Sequence, residues 1–174
     1  MNLPTAVTLS RVLLVPLFVF LVEKHPVWGC LTFVLASLTD LLDGYLARRS
    51  RQVTKLGIIL DPIADKVLVI TALIVLVDLS LVPAGIAIVI IVREFLVTGL
   101  RLVALSRDLV MPAETGGKYK TGFQIAAIII FLVSYSGILG PLDLYWVGIV
   151  CIWLALILGL TSGVQYFLGF IRQV

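Results

Sequence analysis

The stretch from Asp40 to Asp65 reads DLLDGYLARRSRQVTKLGIILDPIAD and carries four aspartates. They are Asp40, Asp43, Asp61 and Asp65, and long apolar runs lie on both sides of the stretch. The two acidic halves are separated by a short basic segment, which indicates two antiparallel apolar helices that carry acids toward the membrane interior. A charge at the bilayer centre costs about 2.5–3.5 kcal/mol on insertion scales. Four such acids therefore require a compensating cation or a water-filled cavity.

The composition of the whole chain agrees with a membrane environment. The chain has 174 residues, of which 61% are hydrophobic and 13% are charged, with a net charge of +3. Soluble domains have about 45–50% apolar and about 25% charged residues. This difference excludes an ordinary soluble domain, a disordered segment and a nucleic-acid-binding module, so no nucleic acid partner is expected.

The apolar runs predict an all-α integral membrane protein. A transmembrane helix needs about 20 residues, and six fit the chain, with breaks such as His25-Pro26 and Gly140-Pro141 between them. The predicted spans are 5–22, 27–49, 56–78, 83–106, 118–137 and 143–170. Residues 1–174 then form a single transmembrane domain.

The basic residues predict the orientation of this domain. With six spans, both termini lie on the same side of the membrane, and Lys24 is the one basic residue that falls on the opposite side. The other twelve fall on the side of the termini, and they are Arg11, Arg48, Arg49, Arg51, Lys55, Lys66, Arg93, Arg101, Arg107, Lys118, Lys120 and Arg172. Because basic residues are enriched on the cytoplasmic side, both termini are predicted to be cytoplasmic.

Helical spacing brings the acids of the Asp40–Asp65 stretch together. At about 100° per residue, one face of the second helix carries Asp40, Asp43, Gly44, Ala47 and Arg48. One face of the third helix carries Gly57, Asp61 and Asp65. Asp40 and Asp65 each lie 13 residues from the predicted outer helix end, which is ~20 Å, so the four acids lie at matched depths near the cytoplasmic surface.

Oxygen ligands without His or Cys suit hard cations such as Mg²⁺ or Mn²⁺. Four carboxylates can hold two such ions, the arrangement that serves phosphoryl-type displacements. Gly44 and Gly57 leave room for a ligand beside the acids, and Arg48 offers a planar fork to a phosphate. The alternative is that the acids pair with Arg48, Lys55 and Lys66 or line an ion path.

The pattern Asp40-x2-Asp43-Gly44-x2-Ala47-Arg48-x8-Gly57-x3-Asp61-x3-Asp65 resembles the full signature of the CDP-alcohol phosphotransferases. Three further segments look like the bacterial phosphatidylglycerophosphate synthase branch of that family. They are Asn2-Leu3-Pro4 with Thr8 and Arg11, Arg93-Glu94-Phe95-x2-Thr98-Gly99-Leu100-Arg101, and Gly117-Lys118-x-Lys120-Thr121.

The resemblance implies six transmembrane helices, a homodimer and a requirement for divalent metal. The branch implies transfer from CDP-diacylglycerol to sn-glycerol 3-phosphate, giving phosphatidylglycerophosphate and CMP, at the bacterial inner membrane with the active site facing the cytoplasm. By position, Asp40, Asp43 and Asp61 resemble metal ligands, and Asp65 resembles both a metal ligand and the general base. Gly44, Arg48 and Gly57 resemble the residues that face the CDP moiety.

A phosphorylated acceptor also needs its own cations, and the candidates are Arg93, Arg101, Lys118 and Lys120. The alternatives are a structural pair of Arg93 with Glu94, and simple interfacial anchoring for the two lysines. The signature does not choose the acceptor, so a sibling enzyme that uses inositol phosphate is the runner-up function. A small cation transporter is the alternative from another class, although the outer halves of the spans carry no acids apart from Asp78 and Asp143 at their ends.

Overall fold

The computed structural model describes the backbone of residues 3–50, 55–107, 115–140 and 143–171. Side chains are described for residues 13–39, 66–104, 106–107, 119–140 and 143–171. Within these ranges every regular element is an α-helix. The helices are α1 (Leu3–Lys24), α2 (Pro26–Ser50), α3 (Lys55–Asp78), α4 (Ala84–Ser106), α5 (Thr115–Ser136) and α6 (Tyr145–Ile171).

The prediction of an all-helical chain with six helices is confirmed for the described residues, and each boundary lies within three residues of the predicted one. Local chemistry ends the helices where the sequence indicated. Ser80 has a φ of 58° after the end of α3, and Gly137 has a φ of 68° after the end of α5. Left-handed residues of this kind terminate helices because they turn the chain away from the helix axis.

The core of the bundle forms around α5. This helix makes its most extensive contact with α6 and also packs against α2 and α3. Its buried side chains include Ile128, Phe131 and Leu132, each at most 1% exposed. They pack in one cluster with Phe33 of α2 and Leu73 of α3. Residues 125–133 of α5 are apolar on all sides of the helix, which is typical of such an interior position.

The outer faces of the bundle are apolar as well. Large exposed side chains include Phe20 of α1, Trp28 of α2, Phe95 of α4, and Trp146 and Trp153 of α6. Apolar patches of this extent mark a surface that is covered by lipid or by another protein. The bundle therefore suits a membrane rather than water.

Two helical stretches among the described residues are long and apolar enough to cross a membrane, Tyr119–Ser136 and Tyr145–Ile171. They satisfy this criterion by length and composition, which agrees with a membrane protein. That all six helices cross the membrane, with both termini in the cytoplasm, stays a prediction.

Candidate active site

The four aspartates lie in two consecutive helices that are joined by a short connection. Asp40 lies ten residues before the last residue of α2, and Asp65 lies ten residues after the first residue of α3. At ~1.5 Å per residue, both are ~15 Å from the connection. Asp43 and Asp61 are seven and six residues from the same helix ends. The two pairs of aspartates thus lie at matched distances along their helices from the connection between α2 and α3.

The side chains of the four aspartates lie outside the described residues, as do those of Gly44, Arg48, Gly57 and Lys118. The roles predicted for them therefore stay predictions. What the structure describes is an unbroken helical backbone through both segments, which keeps the spacing that puts the aspartates of each helix on one face. The donor set, four carboxylates, has the chemistry that Mg²⁺ or Mn²⁺ requires.

Arg93 joins α4 to α6 through hydrogen bonds. Its Nε donates to the carbonyl oxygen of Gly159 at 2.8 Å, and its NH2 group donates to Oγ of Ser162 at 2.6 Å. Its NH1 group donates to Oε1 of Glu94 at 3.2 Å. The structural pair of Arg93 with Glu94, one of the two alternatives considered for this arginine, is thus present.

Glu94 also accepts a hydrogen bond from Nζ of Lys120 on α5. The same oxygen, Oε1, accepts from both Lys120 and Arg93. All three side chains are shielded, since Lys120 is 6% exposed and the other two are each 13% exposed. Ion pairs that are removed from water in this way form only where hydrogen bonds compensate for the lost hydration. We call this group the α4–α6 polar cluster, and its members are Arg93, Glu94, Lys120, Gly159 and Ser162.

A third cation approaches this cluster from α3. Lys66 directly follows Asp65 in the chain and is half-buried, and it has contacts of its own. The positive charges of Lys66 and Arg93 both act on Lys120. Basic side chains of α3, α4 and α5 thus lie near enough for their charges to act on one another, which is favourable for binding an anion.

Small residues on α6 make room for the basic side chains. A Cβ atom on Gly159 would lie 3.3 Å from Cδ of Lys120, and one on Gly163 would lie 3.4 Å from Nε of Arg93. A cavity beside these residues has space for about one water molecule, about 10 Å³. It is lined by α4, α5 and α6 and is too small for a phosphate group.

Arg101 lies apart from the α4–α6 polar cluster, two helical turns further along α4. It is exposed, and its Cζ lies 5.8 Å from the ring centroid of Tyr166. The structure thus brings Arg93 and Lys120 together but places Arg101 elsewhere along the seam between α4 and α6.

Sequence reasoning missed the part of α6 that holds Arg93. Ser162 and Gly159 have no motif of their own, and only their helical spacing, three residues apart on one face, could have pointed to them. It also missed Gln124, which is 2% exposed and whose Nε2 meets no acceptor among the described residues. Gln124 lies one turn after Lys120, on the same face of α5.

The sequence matches a known family over most of its length. The sequence model of the family described as CDP-alcohol phosphatidyltransferase matches residues 1–161. The matched segment contains the four aspartates of α2 and α3 and the whole α4–α6 polar cluster except Ser162.

Curated relatives resemble the chain from end to end. A protein of Bacillus subtilis named CDP-diacylglycerol–glycerol-3-phosphate 3-phosphatidyltransferase is 40% identical, over 95% of this chain and 93% of its own. A protein of Rickettsia bellii with the same name is 38% identical over the same shares. A probable phosphatidylglycerophosphate synthase of Mycobacterium tuberculosis is 36% identical, over 99% of this chain and 83% of its own.

Proposed function

The chain belongs to the CDP-alcohol phosphatidyltransferase family, and from this we propose that it is a phosphatidylglycerophosphate synthase. The reaction transfers the phosphatidyl group of CDP-diacylglycerol to sn-glycerol 3-phosphate and releases CMP. One observation carries the choice of reaction: relatives named for it resemble this chain over 95% of its length at 38–40% identity. The convergence of Lys66, Arg93 and Lys120 supports an anionic acceptor.

The proposed arrangement is a single transmembrane domain, residues 1–174, with six membrane crossings and both termini in the cytoplasm. The exposed apolar side chains of α1, α2, α4 and α6 support a lipid environment. In this orientation the connection between α2 and α3 faces the cytoplasm, because twelve of the thirteen basic residues lie on that side. The protein then lies in the bacterial inner membrane, with its active site facing the cytoplasm, and acts as a homodimer among membrane lipids.

The four aspartates of α2 and α3 would hold two divalent metal ions, Mg²⁺ or Mn²⁺. They are Asp40, Asp43, Asp61 and Asp65. Bound ions of this kind supply Lewis-acid stabilisation of the diphosphate and of the attacking and leaving oxygens. The support on this chain is the matched distance of the two aspartate pairs from the connection between α2 and α3 and the oxygen-only donor set.

The chain's own residues would then orient the donor and move one proton. Gly44 and Gly57 leave space for the CDP moiety, and Arg48 binds its diphosphate. Asp65 takes the proton of the acceptor hydroxyl, whose oxygen attacks the phosphorus that bears the diacylglycerol. The bond from that phosphorus to CMP breaks, and CMP leaves with the electron pair. Positioning and charge stabilisation provide most of the acceleration in reactions of this type.

Of the predicted acceptor cations, which are Arg93, Arg101, Lys118 and Lys120, the structure brings Arg93 and Lys120 together, and we propose that the phosphate of the acceptor binds there. The cavity between α4, α5 and α6 is too small for it, so we place the phosphate on the side of Lys120 that faces α3 and Lys66. Lys66 directly follows Asp65 in the chain, so a phosphate on this side would lie near the helix that carries the proposed base. An ammonium group has three N–H donors, so Lys120 can bond Glu94 and a phosphate together.

The test uses purified protein in detergent with CDP-diacylglycerol and Mn²⁺, offered sn-glycerol 3-phosphate, inositol phosphate or serine. We expect CMP release with sn-glycerol 3-phosphate and none above background with the other two. Activity with inositol phosphate alone would replace the proposed acceptor. If no acceptor gives CMP and the protein instead carries Mn²⁺ into liposomes, the enzyme proposal is wrong and the transporter alternative stands.

A further inference from the structure

Glu94 is a shielded carboxylate that lies outside the aspartate motif and among the proposed acceptor cations. We propose that Glu94 is a positioning residue, which holds the ammonium group of Lys120 in place for the phosphate of the acceptor. The inference rests on the proposed function, because it assigns Lys120 to the acceptor phosphate. The proposed reaction by itself gives Glu94 no role, so this assignment goes beyond it.

The first support is the way in which Glu94 is itself held. Oε1 of Glu94 accepts from Arg93 at 3.2 Å, and Arg93 is bonded to Gly159 and Ser162 of α6. A guanidinium group is planar and rigid, so its two bonds to Gly159 and Ser162 tie α4 to α6, while its third bond holds Glu94. The carboxylate therefore has a defined position before it meets Lys120.

The second support is the environment of Lys120. A lysine side chain is long and flexible, and it loses rotational freedom when its end group is fixed. Glu94 fixes that end group on one side, and Gly159 leaves space for the stem, whose Cδ would lie 3.3 Å from a Cβ there. In addition, Lys120 is buried and lies near the positive charges of Arg93 and Lys66. Without a carboxylate, these charges would repel Lys120 from its place.

A competing role for Glu94 is that it occupies Lys120 in place of the substrate and must be displaced. The geometry favours holding, because one carboxylate oxygen engages Lys120 and an ammonium group has two further donors. The two roles predict opposite changes when the charge of Glu94 is removed. Holding predicts weaker binding of the acceptor, whereas competition predicts tighter binding.

The experiment measures the KM of each substrate, kcat and the melting temperature for Glu94→Gln, Lys120→Gln and the double variant. Glu23→Gln is the matched control, since Glu23 is exposed at the far end of α1. We expect Glu94→Gln to raise the KM for sn-glycerol 3-phosphate about tenfold to a hundredfold, the range for a lost charged hydrogen bond, and to leave the KM for CDP-diacylglycerol unchanged. In the Lys120→Gln background the same change should have little further effect, because Glu94 acts through Lys120.

Three results would overturn the inference. They are an acceptor KM equal to or below that of Glu23→Gln, an equal rise in both KM values, and a full additional effect in the Lys120→Gln background. If Glu94→Gln does not fold, Glu94→Asp replaces it. That variant keeps the charge but shortens the side chain by one methylene group. We expect it to raise only the acceptor KM, and by less than Glu94→Gln would. An unchanged acceptor KM counts against the inference. Failure of the proposed function is separate, because it would appear as no CMP release by the unmodified protein.

Discussion

Asp61 lies one turn before Asp65 in α3 and shares a helix face with it. Its proposed task is to bind metal, and carboxylates crowded at one site repel each other unless a cation lies between them. A neutral side chain of the same shape should therefore remove a ligand without weakening the metal-free fold. Residues of this kind contribute to catalysis and not to stability.

We predict that Asp61→Asn lowers the rate of CMP release by about a thousandfold, because a lost metal contact costs several kcal/mol of transition-state stabilisation. The melting temperature without metal should stay the same or rise. Added Mn²⁺ should raise the melting temperature of the unmodified protein, since a ligand that binds the folded state stabilises it, and should have no such effect on the variant.

The matched control is Asp78→Asn, at the opposite end of the same helix, where the side chain is exposed. It should keep both the activity and the response to Mn²⁺. A fully active Asp61→Asn protein, or one that still responds to Mn²⁺, would remove Asp61 from the proposed metal site.

The helices α1 and α2 form a tight antiparallel pair. α1 ends at Lys24 and α2 begins at Pro26, so His25 alone connects them. Proline is well suited to the first position of a helix, since its fixed φ fits and its missing N–H is not needed there. Gly29 then lies directly against α1, because a Cβ at this position would be 2.5 Å from Cα of Val22.

We predict that Gly29→Ala destabilises the protein by more than about 3 kcal/mol, at or above the usual upper range for overpacking. The reason is that the added methyl group meets backbone, which cannot rotate away as a side chain can. The measurement is thermal unfolding in detergent.

Gly85→Ala is the control for Gly29→Ala, because Gly85 also lies near the start of a helix, and a Cβ there has no neighbour within 4 Å among the described residues. It should melt like the unmodified protein. Equal melting temperatures for the two alanine variants would show that α1 and α2 pack less closely than described.

Most basic residues are predicted to lie at one end of the molecule, and apolar side chains are exposed around the bundle. Lys24 and Arg107 are both exposed, and the predicted topology puts them on opposite sides of the membrane. Cys30 and Cys151 are free thiols, so each must be replaced by alanine before new cysteines are introduced. Labelling by a membrane-impermeant maleimide then reports on orientation.

We predict that Lys24→Cys is labelled in intact cells, whereas Arg107→Cys is labelled only after the cells are permeabilised. The physical basis is the retention of basic residues on the cytoplasmic side during insertion. Labelling of Arg107→Cys in intact cells would invert the orientation, and labelling of both cysteines would mean that the number of crossings is not six.

Of the candidate site, the sequence alone predicts the part that lies on two neighbouring helices. The aspartates of α2 and α3 are spaced by whole helical turns, so helix geometry places them on shared faces. The sequence named Arg93 and Lys120 as candidates together with Arg101 and Lys118, without indicating which of them lie close together. In the structure Lys120 bonds Glu94 of α4 with its stem beside Gly159 of α6, and no local pattern predicts that direction.

The six helices and the aspartate spacing follow from the sequence by itself, because apolar runs, turn residues and helical periodicity act over a few neighbouring residues. The central place of α5 and the α4–α6 polar cluster were decided by the tertiary structure. Lys120 and Glu94 are 26 residues apart in the chain, and Arg93 lies 66 residues from Gly159 and 69 from Ser162. Contacts between residues so distant depend on which helix faces meet, and that choice is made by the packing of the whole bundle.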